Sequence, residues 1–396
     1  MKILVVTPYL GSTYGGTSKA IQDLACSLAQ ENHSIDIVTT NANDKVCIEV
    51  PLNQWIEKDG YRVRYFPCWN RNTLIVSPQL LWWIFRHAEA YDVVHTNTIF
   101  SPIISLTHSI LRSLQVPYVV TPHGMLEPWA LNYKSWKKRY YLSLFEKSNL
   151  KQASAIQALA STEAQNILQL DSSLQIAVVP NGIHKESFVD AASPDTLYEK
   201  FPEVRGKTLI LFLGRIDPKK GLDLLSTAFA DVYQRYPNAH LAIAGPDSIN
   251  YLPTARQFFA EAGCSSAVTF TGMITGELKQ AALAAADVYV APSYSEGFSI
   301  SVLEGMASGL PCVITTGCNF PEAASAEAAY VVDIDAGSIC AAIEQCLEDE
   351  IAAKALGDRA RNFIFENYTW KKSAERLTQV YSSISRSTTP SLSHTT

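Results

Sequence analysis

The strongest constraint on what this chain can fold into is a rhythm. Short apolar runs alternate with stretches of helical spacing, twice over, with one interruption. In the first series Ile3–Thr7, Ile35–Thr39, Val63–Phe66, Asp92–His95 and Tyr118–Thr121 read as buried strands. Between them, Ser18–Gln30 carries Ile21, Leu24 and Leu28 at helical spacing. Leu150–Leu170 adds a strand and helix, and Ile176–Val179 ends the series at the turn signal Pro180-Asn181-Gly182. A polar, irregular segment covers about Lys185–Lys207. The pattern then restarts with strands at Thr208–Leu213, His240–Ala244, Val268–Thr271, Asp287–Ala291, Cys312–Thr315 and Tyr330–Val332. Helices at Gly221–Tyr236, Pro253–Ala262, Gly276–Ala285, Ile300–Ser308 and Ser338–Glu348 separate them. Such alternation builds parallel sheets from strand–helix–strand units. Two series with one break predict an α/β protein of two doubly wound domains. A chain of 396 residues has room for both. Ligands of such sheets sit at the carboxyl ends of the strands, and with two domains the natural site is a cleft between them.

Composition removes several function classes. The net charge of -6 excludes nucleic-acid binding by bulk electrostatics. Eight cysteines (Cys26, Cys47, Cys68, Cys264, Cys312, Cys318, Cys340, Cys346) include no C-x-x-C pair and mostly lie in apolar runs, so reduced thiols are expected. The first apolar run is too short for a secretion signal and leads into Tyr14-Gly15-Gly16. No uninterrupted apolar segment is long enough to cross a bilayer. A cytoplasmic location is the expectation.

The chemistry gathers at two loops. Phe212-Leu-Gly-Arg-Ile-Asp-Pro-Lys-Lys-Gly-Leu222 leaves a strand at Gly214, brackets a turn with Arg215 and Lys220, and enters a helix after Gly221. A planar fork and a point charge on a strand–helix loop suit a diphosphate. A solvated loop with ordinary surface charge is the bland alternative, and Lys219 is assigned to it. The second loop, Ser293–Phe298, follows the Asp287–Ala291 strand on the same side of the sheet and carries Glu296. Glu304 lies more than a turn into the next helix, which begins near Ser299 with backbone N–H groups able to receive phosphate oxygens. A carboxylate at Glu304 can accept two hydroxyls, as from a ribose, and Glu296 can accept hydroxyls from a sugar. Gly297 lets a backbone approach closely. A capping box at Ser301–Glu304 would explain Glu304 alone.

The run Glu296-Gly-Phe-Ser-Ile-Ser-Val-Leu-Glu304 resembles the E-x7-E motif of retaining GT-B glycosyltransferases of family 4. Gly15-Gly16, Pro122-His123-Gly124, Pro180-Asn181-Gly182, Gly214-Arg215 with Lys220-Gly221, and Ala244-Gly245-Pro246 follow the same family in order. The resemblance implies a GT-B fold, with the two Rossmann-like domains facing each other across a cleft. It implies an acceptor-side domain at 1–185, a nucleotide-sugar domain at 186–369, a helix near 370–382 packing back on the first domain, and a disordered tail at 383–396. It implies that Arg215 and Lys220 hold the donor diphosphate and stabilise its charge as it leaves. Glu304 would bind ribose, and Glu296 would bind donor-sugar hydroxyls with backbone N–H groups of Gly297 and Phe298 beside it. His123 would touch the donor sugar. Gly15 and Gly16 would leave room near phosphates and acceptor, with Gly214 and Ser299 on the donor side. Ser299 departs from the glycine of many members, which tightens the approach to the sugar. Retaining transfer of a hexose-type sugar from a nucleotide sugar to a saccharide acceptor is implied, on a lipid-linked acceptor at the inner face of a membrane, for surface polysaccharide, with a soluble acceptor such as a sugar phosphate left open. Arg215 and Lys220 can stabilise the leaving charge unaided, so no metal or other cofactor is expected.

Several readings stay beside this one. Asp333-Ile-Asp335 has the spacing of a metal motif from another transferase fold, but its strand-to-loop setting favours a connection. His95 and Glu127 are acceptor-side candidates, with a turn or core histidine an equal reading of His95. Lys134, Lys137, Lys138 and Arg139 lie among Trp136, Tyr140 and Tyr141, a basic aromatic helix that can rest on an anionic membrane or be a packed, solvated helix. Trp82-Trp83-Ile84-Phe85 reads as core. A dinucleotide-dependent oxidoreductase fails on both its glycine fingerprint and its acidic residue, and the E-x7-E run points away from a sugar-nucleotide epimerase. A catalytically inactive homologue, binding a nucleotide sugar or a partner subunit, is the rival from another class, and the intact Arg215, Lys220, Glu296 and Glu304 argue against it.

Overall fold

The computed structural model describes all residues except 44–45, 72–73, 133–134, 190–191 and 386–396. The expected tail begins within the last turn of the helix Trp370–Ile384, and from residue 386 it lies outside the described residues. Two compact units form. One takes Met1–Leu159, Glu163–Val179 and the chain from Ser373 on; the other takes Ala160–Thr162 and Pro180–Lys372.

In the first unit eight strands lie side by side in the order Ile176–Val178, Ala155–Ala158, Tyr118–Thr121, Val93–Asn97, Lys2–Val6, Ser34–Thr40, Tyr61–Phe66 and Trp55–Glu57. All neighbours are parallel except the last pair. The antiparallel edge strand Trp55–Glu57 carries no apolar run and was not expected. Strand order reverses between Lys2–Val6 and Val93–Asn97, so the loops that leave those strands face the ligand side of this sheet.

The carboxyl-terminal helix completes this unit. Ala374, Leu377 and Tyr381 are fully buried against Ile3, Val5, Ile37 and Val119. The Tyr381 hydroxyl meets His95 Nδ1 at 2.5 Å, and His95 Nε2 meets the Thr121 hydroxyl at 2.6 Å. Thr121 donates to Gln157 Oε1, and Gln157 donates to the Val179 carbonyl. The direction of that chain fixes the tautomer. Thr121 spends its proton on Gln157, so it accepts from Nε2–H, and Nδ1 accepts from Tyr381. Burial, with the nearby His123, pushes the His95 imidazole down to about 3. His95 is therefore a core histidine, with both ring nitrogens committed inside the unit, and its acceptor-side assignment is corrected.

The second unit holds six parallel strands in the order Val268–Gly272, Ala239–Ala244, Thr208–Leu213, Val288–Ala291, Cys312–Thr315 and Tyr330–Val332. Numbered along the chain this is 3-2-1-4-5-6, the doubly wound nucleotide-binding order. Its reversal falls between Thr208–Leu213 and Val288–Ala291. The segment 185–207 is less irregular than its composition suggests, since Asp195–Lys200 is helical. The longest helix, Glu350–Asn367, was not anticipated. It buries a narrow stripe of mostly small residues (Ala353, Leu356, Gly357, Ala360, Ile364), which gives little periodic signal.

The tie through Tyr381 is testable. Tyr381→Ala should cost about 3–5 kcal/mol through its cavity. Tyr381→Phe should cost about 1–3 kcal/mol, since it leaves buried His95 Nδ1 without a donor. Urea unfolding of the full chain followed by tryptophan fluorescence measures both. A Tyr381→Phe variant as stable as the parent would refute the hydrogen-bonded chain.

Candidate functional site

The strands on either side of the second sheet's reversal lead into two loops that are stitched together. The first loop runs from Gly214 to Gly221. Asp217 accepts from the Lys219 N–H at 3.0 Å and starts the single turn Pro218–Lys220. Gly221 closes it at φ 68, and a Cβ there would lie 2.0 Å from the Pro292 carbonyl oxygen of the second loop. Only glycine permits both that backbone and that approach. The second loop, Pro292–Ser299, binds across the first. Tyr294 N–H donates to the Lys219 carbonyl, and the Tyr294 hydroxyl donates to Asp223 at 2.6 Å. From below, Thr315 donates to the Ser293 carbonyl, Glu296 N–H donates to Gly317, and Asn319 donates to the Glu296 carbonyl.

This scaffold holds a buried ion pair. Lys220 and Glu296 are 8% and 7% exposed, and the Lys220 ammonium sits 2.5 Å from Glu296 Oε1. Ser293 donates to the same oxygen at 2.8 Å, and the Lys219 ammonium is 3.8 Å from Oε2. Burial alone would raise the Glu296 carboxyl, but the charges of Lys220 and Lys219 and the hydrogen bonds from Lys220 and Ser293 outweigh it, holding the group at about 2. Lys219 is partly buried rather than solvated, which corrects its assignment as surface charge. Burial pushes its ammonium down, opposed by Glu296 and helped by Lys220 and Arg215. Arg215 itself is exposed, and no carboxylate among the described residues pairs with it. Three cations and one committed carboxylate thus share the ligand side of the reversal.

The helix Ile300–Ala307 follows. Its N-cap is Ser299, whose hydroxyl pairs with that of Ser301 and caps no backbone N–H. Glu304 is therefore the fifth helical residue, not the third, and the capping-box reading fails. Gly305 presses the helix onto the sheet, where a Cβ would lie 2.6 Å from Tyr289 Cγ. Glu304 is paired instead with Lys279, at 2.5 Å, from the helix Gly276–Ala285. Gly297 is partly exposed, while the Phe298 side chain packs on Phe320 and Tyr368. Gly214 ends its strand with its N–H on Ala244, near Lys220. Asp335 accepts from the Ser338 N–H and hydroxyl, so the D-x-D is a helix N-cap.

In the first unit, Gly15 (φ 62) starts the helix Gly16–Gln30, and a side chain at Gly15 or Gly16 would meet open space. His123 leaves the Tyr118–Thr121 strand at φ 54, and its Nε2 lies 2.9 Å from Asn97 Oδ1. Burial pushes its imidazole down to about 4. Beneath it, fully buried Glu163 accepts from the Gly124 N–H at 2.7 Å and the Leu159 N–H at 2.6 Å. Burial pushes this carboxyl up to about 7, against those two bonds. Glu127 is buried beside the His123 loop and accepts from Asn166. Asn97, Glu163, Lys219 and Lys279 belong to these sites and escaped the sequence. Each is a partner of a recognised residue, and no motif spacing marks such partners. In the basic aromatic stretch, Lys134 lies outside the described residues. Trp83 and Ile84 are core as expected, but Trp82 and Phe85 are 63% and 52% exposed, because their spacing puts them on the outer face of the helix Pro78–His87.

Comparisons with known proteins bear on the family and the fold. Residues 195–363 match the family described as glycosyl transferases group 1, and residues 14–187 match glycosyltransferase family 4. The phosphatidyl-myo-inositol mannosyltransferase of Mycolicibacterium smegmatis is 27% identical over 97% of this chain and 94% of its own. Among solved structures, the sucrose-phosphate synthase of Thermosynechococcus elongatus has a TM-score of 0.76 at 20% identity, covering 97% of this chain and 99% of that one. Anabaena HepE in complex with UDP-glucose has a TM-score of 0.77 at 17% identity, covering 97% and 100%. These likenesses carry the two-Rossmann GT-B fold.

The ion pair sets a pH signature. The Glu296 carboxyl is held below its ordinary 4.5, so its stabilisation is present above that value and lost as pH falls toward about 2. Glu296→Gln leaves buried Lys220 uncompensated and should cost about 3–5 kcal/mol at neutral pH. The gap between parent and variant, read by urea unfolding, should narrow from about pH 4.5 downward. A gap independent of pH would contradict an ionised Glu296.

Proposed function

Because the chain belongs to the group 1 and family 4 glycosyltransferases and is accordingly a transferase enzyme, we propose that it moves a hexose-type sugar from a nucleotide sugar to a saccharide acceptor carried on a lipid, with retention of configuration, in building cell-surface polysaccharide. The observation that carries this reading is the buried Lys220–Glu296 pair beside exposed Arg215 at the sheet's reversal. Breaking a bond to a diphosphate leaves negative charge on the departing oxygens. Cations fixed in place stabilise that charge without reorganising, usually the largest single effect in such reactions. Arg215 offers a forked guanidinium with no carboxylate paired to it among the described residues, and Lys220 a point charge already oriented. In this reading they hold the diphosphate without a metal.

Glu296 is ionised, so it can only accept, and sugar hydroxyls can donate to it. Gly297 and Phe298 offer backbone N–H groups beside it. The first turn at Ser299 has no side-chain cap, so its N–H groups suit anionic oxygens. Glu304 is the ribose carboxylate. Gly15, Gly16 and Gly214 keep backbone close to ligand. His123, held neutral by burial, can share a hydrogen bond with a sugar hydroxyl. The UDP-glucose bound to HepE and the phosphatidyl-myo-inositol named for the mycobacterial enzyme are ligands of those proteins, and they support a nucleotide-sugar donor and a lipid acceptor here.

A surface of the first unit supports the lipid acceptor. Trp136, Tyr140, Leu144 and Phe145 are 71%, 66%, 53% and 50% exposed. Lys137, Arg139 and Lys147 are exposed among them, while Glu146 is fully buried. Aromatic and cationic groups with no exposed acid between them suit an anionic bilayer surface. No helix among the described residues is long and apolar enough to span one.

Two outcomes test the proposal. Arg215→Ala should lower turnover about 10²–10³-fold, with no change in unfolding midpoint, in an assay of nucleoside diphosphate release from UDP-, GDP-, ADP- and dTDP-sugars run with and without EDTA. Full activity in that variant, or turnover abolished by EDTA, would overturn the assignment of the diphosphate to Arg215 and Lys220. The full chain should also float with phosphatidylglycerol vesicles and not with phosphatidylcholine vesicles, and Trp136→Ser with Lys137→Glu should abolish flotation. Unchanged flotation of the double variant would remove this surface from the proposal.

A further inference from the structure

Glu304 does not stand alone. The helices Gly276–Ala285 and Ile300–Ala307 bring the Lys279 ammonium to 2.5 Å from Glu304 Oε1, with the two side chains 27% and 16% exposed. Oε2 has no protein partner among the described residues. One oxygen is thus pinned and the other left available. An ionised carboxylate has about four acceptor positions, and Lys279 uses one of them. Without the lysine, a carboxylate on three side-chain torsions would spread over several orientations, and fixing it on binding would cost entropy.

We propose that Lys279 is a positioning residue that fixes Glu304 to accept both hydroxyls of a ribose and so makes the site selective for ribonucleoside diphosphates over their 2′-deoxy counterparts. The inference deepens the ribose role given to Glu304 and rests on it. A fixed carboxylate loses more from a missing hydroxyl than a mobile one. It cannot turn its unpaired oxygen toward water or a neighbour, and a polar group left without its partner is what rejects an analogue. Gly305, pressed on Tyr289, denies the helix the shift that would relieve this. Lys279 differs in kind from Lys220. Its carboxylate partner is Glu304, whereas that of Lys220 is Glu296, so its effect is read on the sugar of the nucleotide rather than on turnover.

The test is calorimetric titration of the full chain with UDP, GDP and ADP, each beside its 2′-deoxy form, for the parent and for Lys279→Met, Lys279→Arg and Glu304→Gln. The parent should prefer the ribonucleotide about tenfold or more, and Lys279→Met and Glu304→Gln should each bring the preference to within about twofold, by weakening the ribonucleotide alone. Lys279→Arg should keep the preference, since a guanidinium preserves the pair, and unfolding midpoints should show every variant folded. Preference lost in Glu304→Gln but kept in Lys279→Met would overturn the role of Lys279 and leave the ribose reading standing. Tighter ribonucleotide binding by Lys279→Met would also overturn it, as it would make the lysine a competitor. Preference kept in Glu304→Gln, or no nucleotide bound by the parent, would overturn both.

Discussion

The ion pair between Lys220 and Glu296 is the constraint on which the second unit's ligand side depends. Two charges withdrawn from water are costly, and their mutual attraction repays this only with good geometry and with the remaining lone pairs satisfied. Here the geometry is supplied by neighbours. Ser293 adds a donor, Lys219 a second charge, and Thr315, Gly317 and Asn319 fix the backbone that carries Glu296. Gly221 is there because Pro292 is there. A merely structural pair would be weak evidence of anything, since apolar replacements often serve stability as well. This pair stands at a strand-order reversal, where backbone divergence opens a crevice, and it has an exposed arginine beside it.

The first unit solves a similar problem with hydrogen bonds and backbone strain. Thr98, Phe100 and His123 all have positive φ in the loops that leave two adjacent strands of its sheet. Non-glycine residues in that region cost about 1–3 kcal/mol each and persist only where surroundings over-determine them. The surroundings are visible: Thr98 N–H on the Thr121 carbonyl, Phe100 N–H on buried Glu146, His123 on Asn97, and Gly124 N–H on buried Glu163. Glu163 and Asn166 project from one helix to hold the two ends of the same loop. The imidazole of His123 is thereby set in place before any ligand arrives.

What the sequence made legible was whatever repeats or is spaced by local geometry. Alternating strands and helices, and hence two doubly wound sheets, could be read because each strand is a buried apolar run between turn signals. Glu296 and Glu304 could be read because charge in an apolar segment needs a reason. Their partners could not. Lys219 looks like any surface lysine, and only the fold brings it near Glu296. Lys279 is remote in sequence from Glu304. The capping-box reading failed on a boundary: the helix starts at Ile300, two residues earlier than that motif needs. For His95 the sequence supports a core and an acceptor-side reading equally, and only the fold decides: both ring nitrogens are committed inward, onto Tyr381 and Thr121. Exposed Trp82 and Phe85 were misread because an apolar run longer than one helical turn cannot all face the core.

If Lys220 holds the donor diphosphate as proposed, a carboxylate kept against it has a use. A lysine buried without a partner would lose its proton or its position, because burial penalises the charged form. Glu296 is the partner that holds Lys220 in place. A diphosphate that reaches the loop brings more negative charge than one carboxylate, and the ammonium has three donors, so it can hold both. Any loosening of its bond to Glu296 leaves that carboxylate with open acceptor positions at the moment a sugar arrives with hydroxyls to donate. Charge for the leaving group and acceptors for the sugar would then come from one pair, without either member having been unsatisfied beforehand. Ser293 steadies Glu296 through that exchange, since its hydroxyl bonds the same oxygen that Lys220 does. On this view the stability held in the buried pair and the readiness of the site are one property of the two loops.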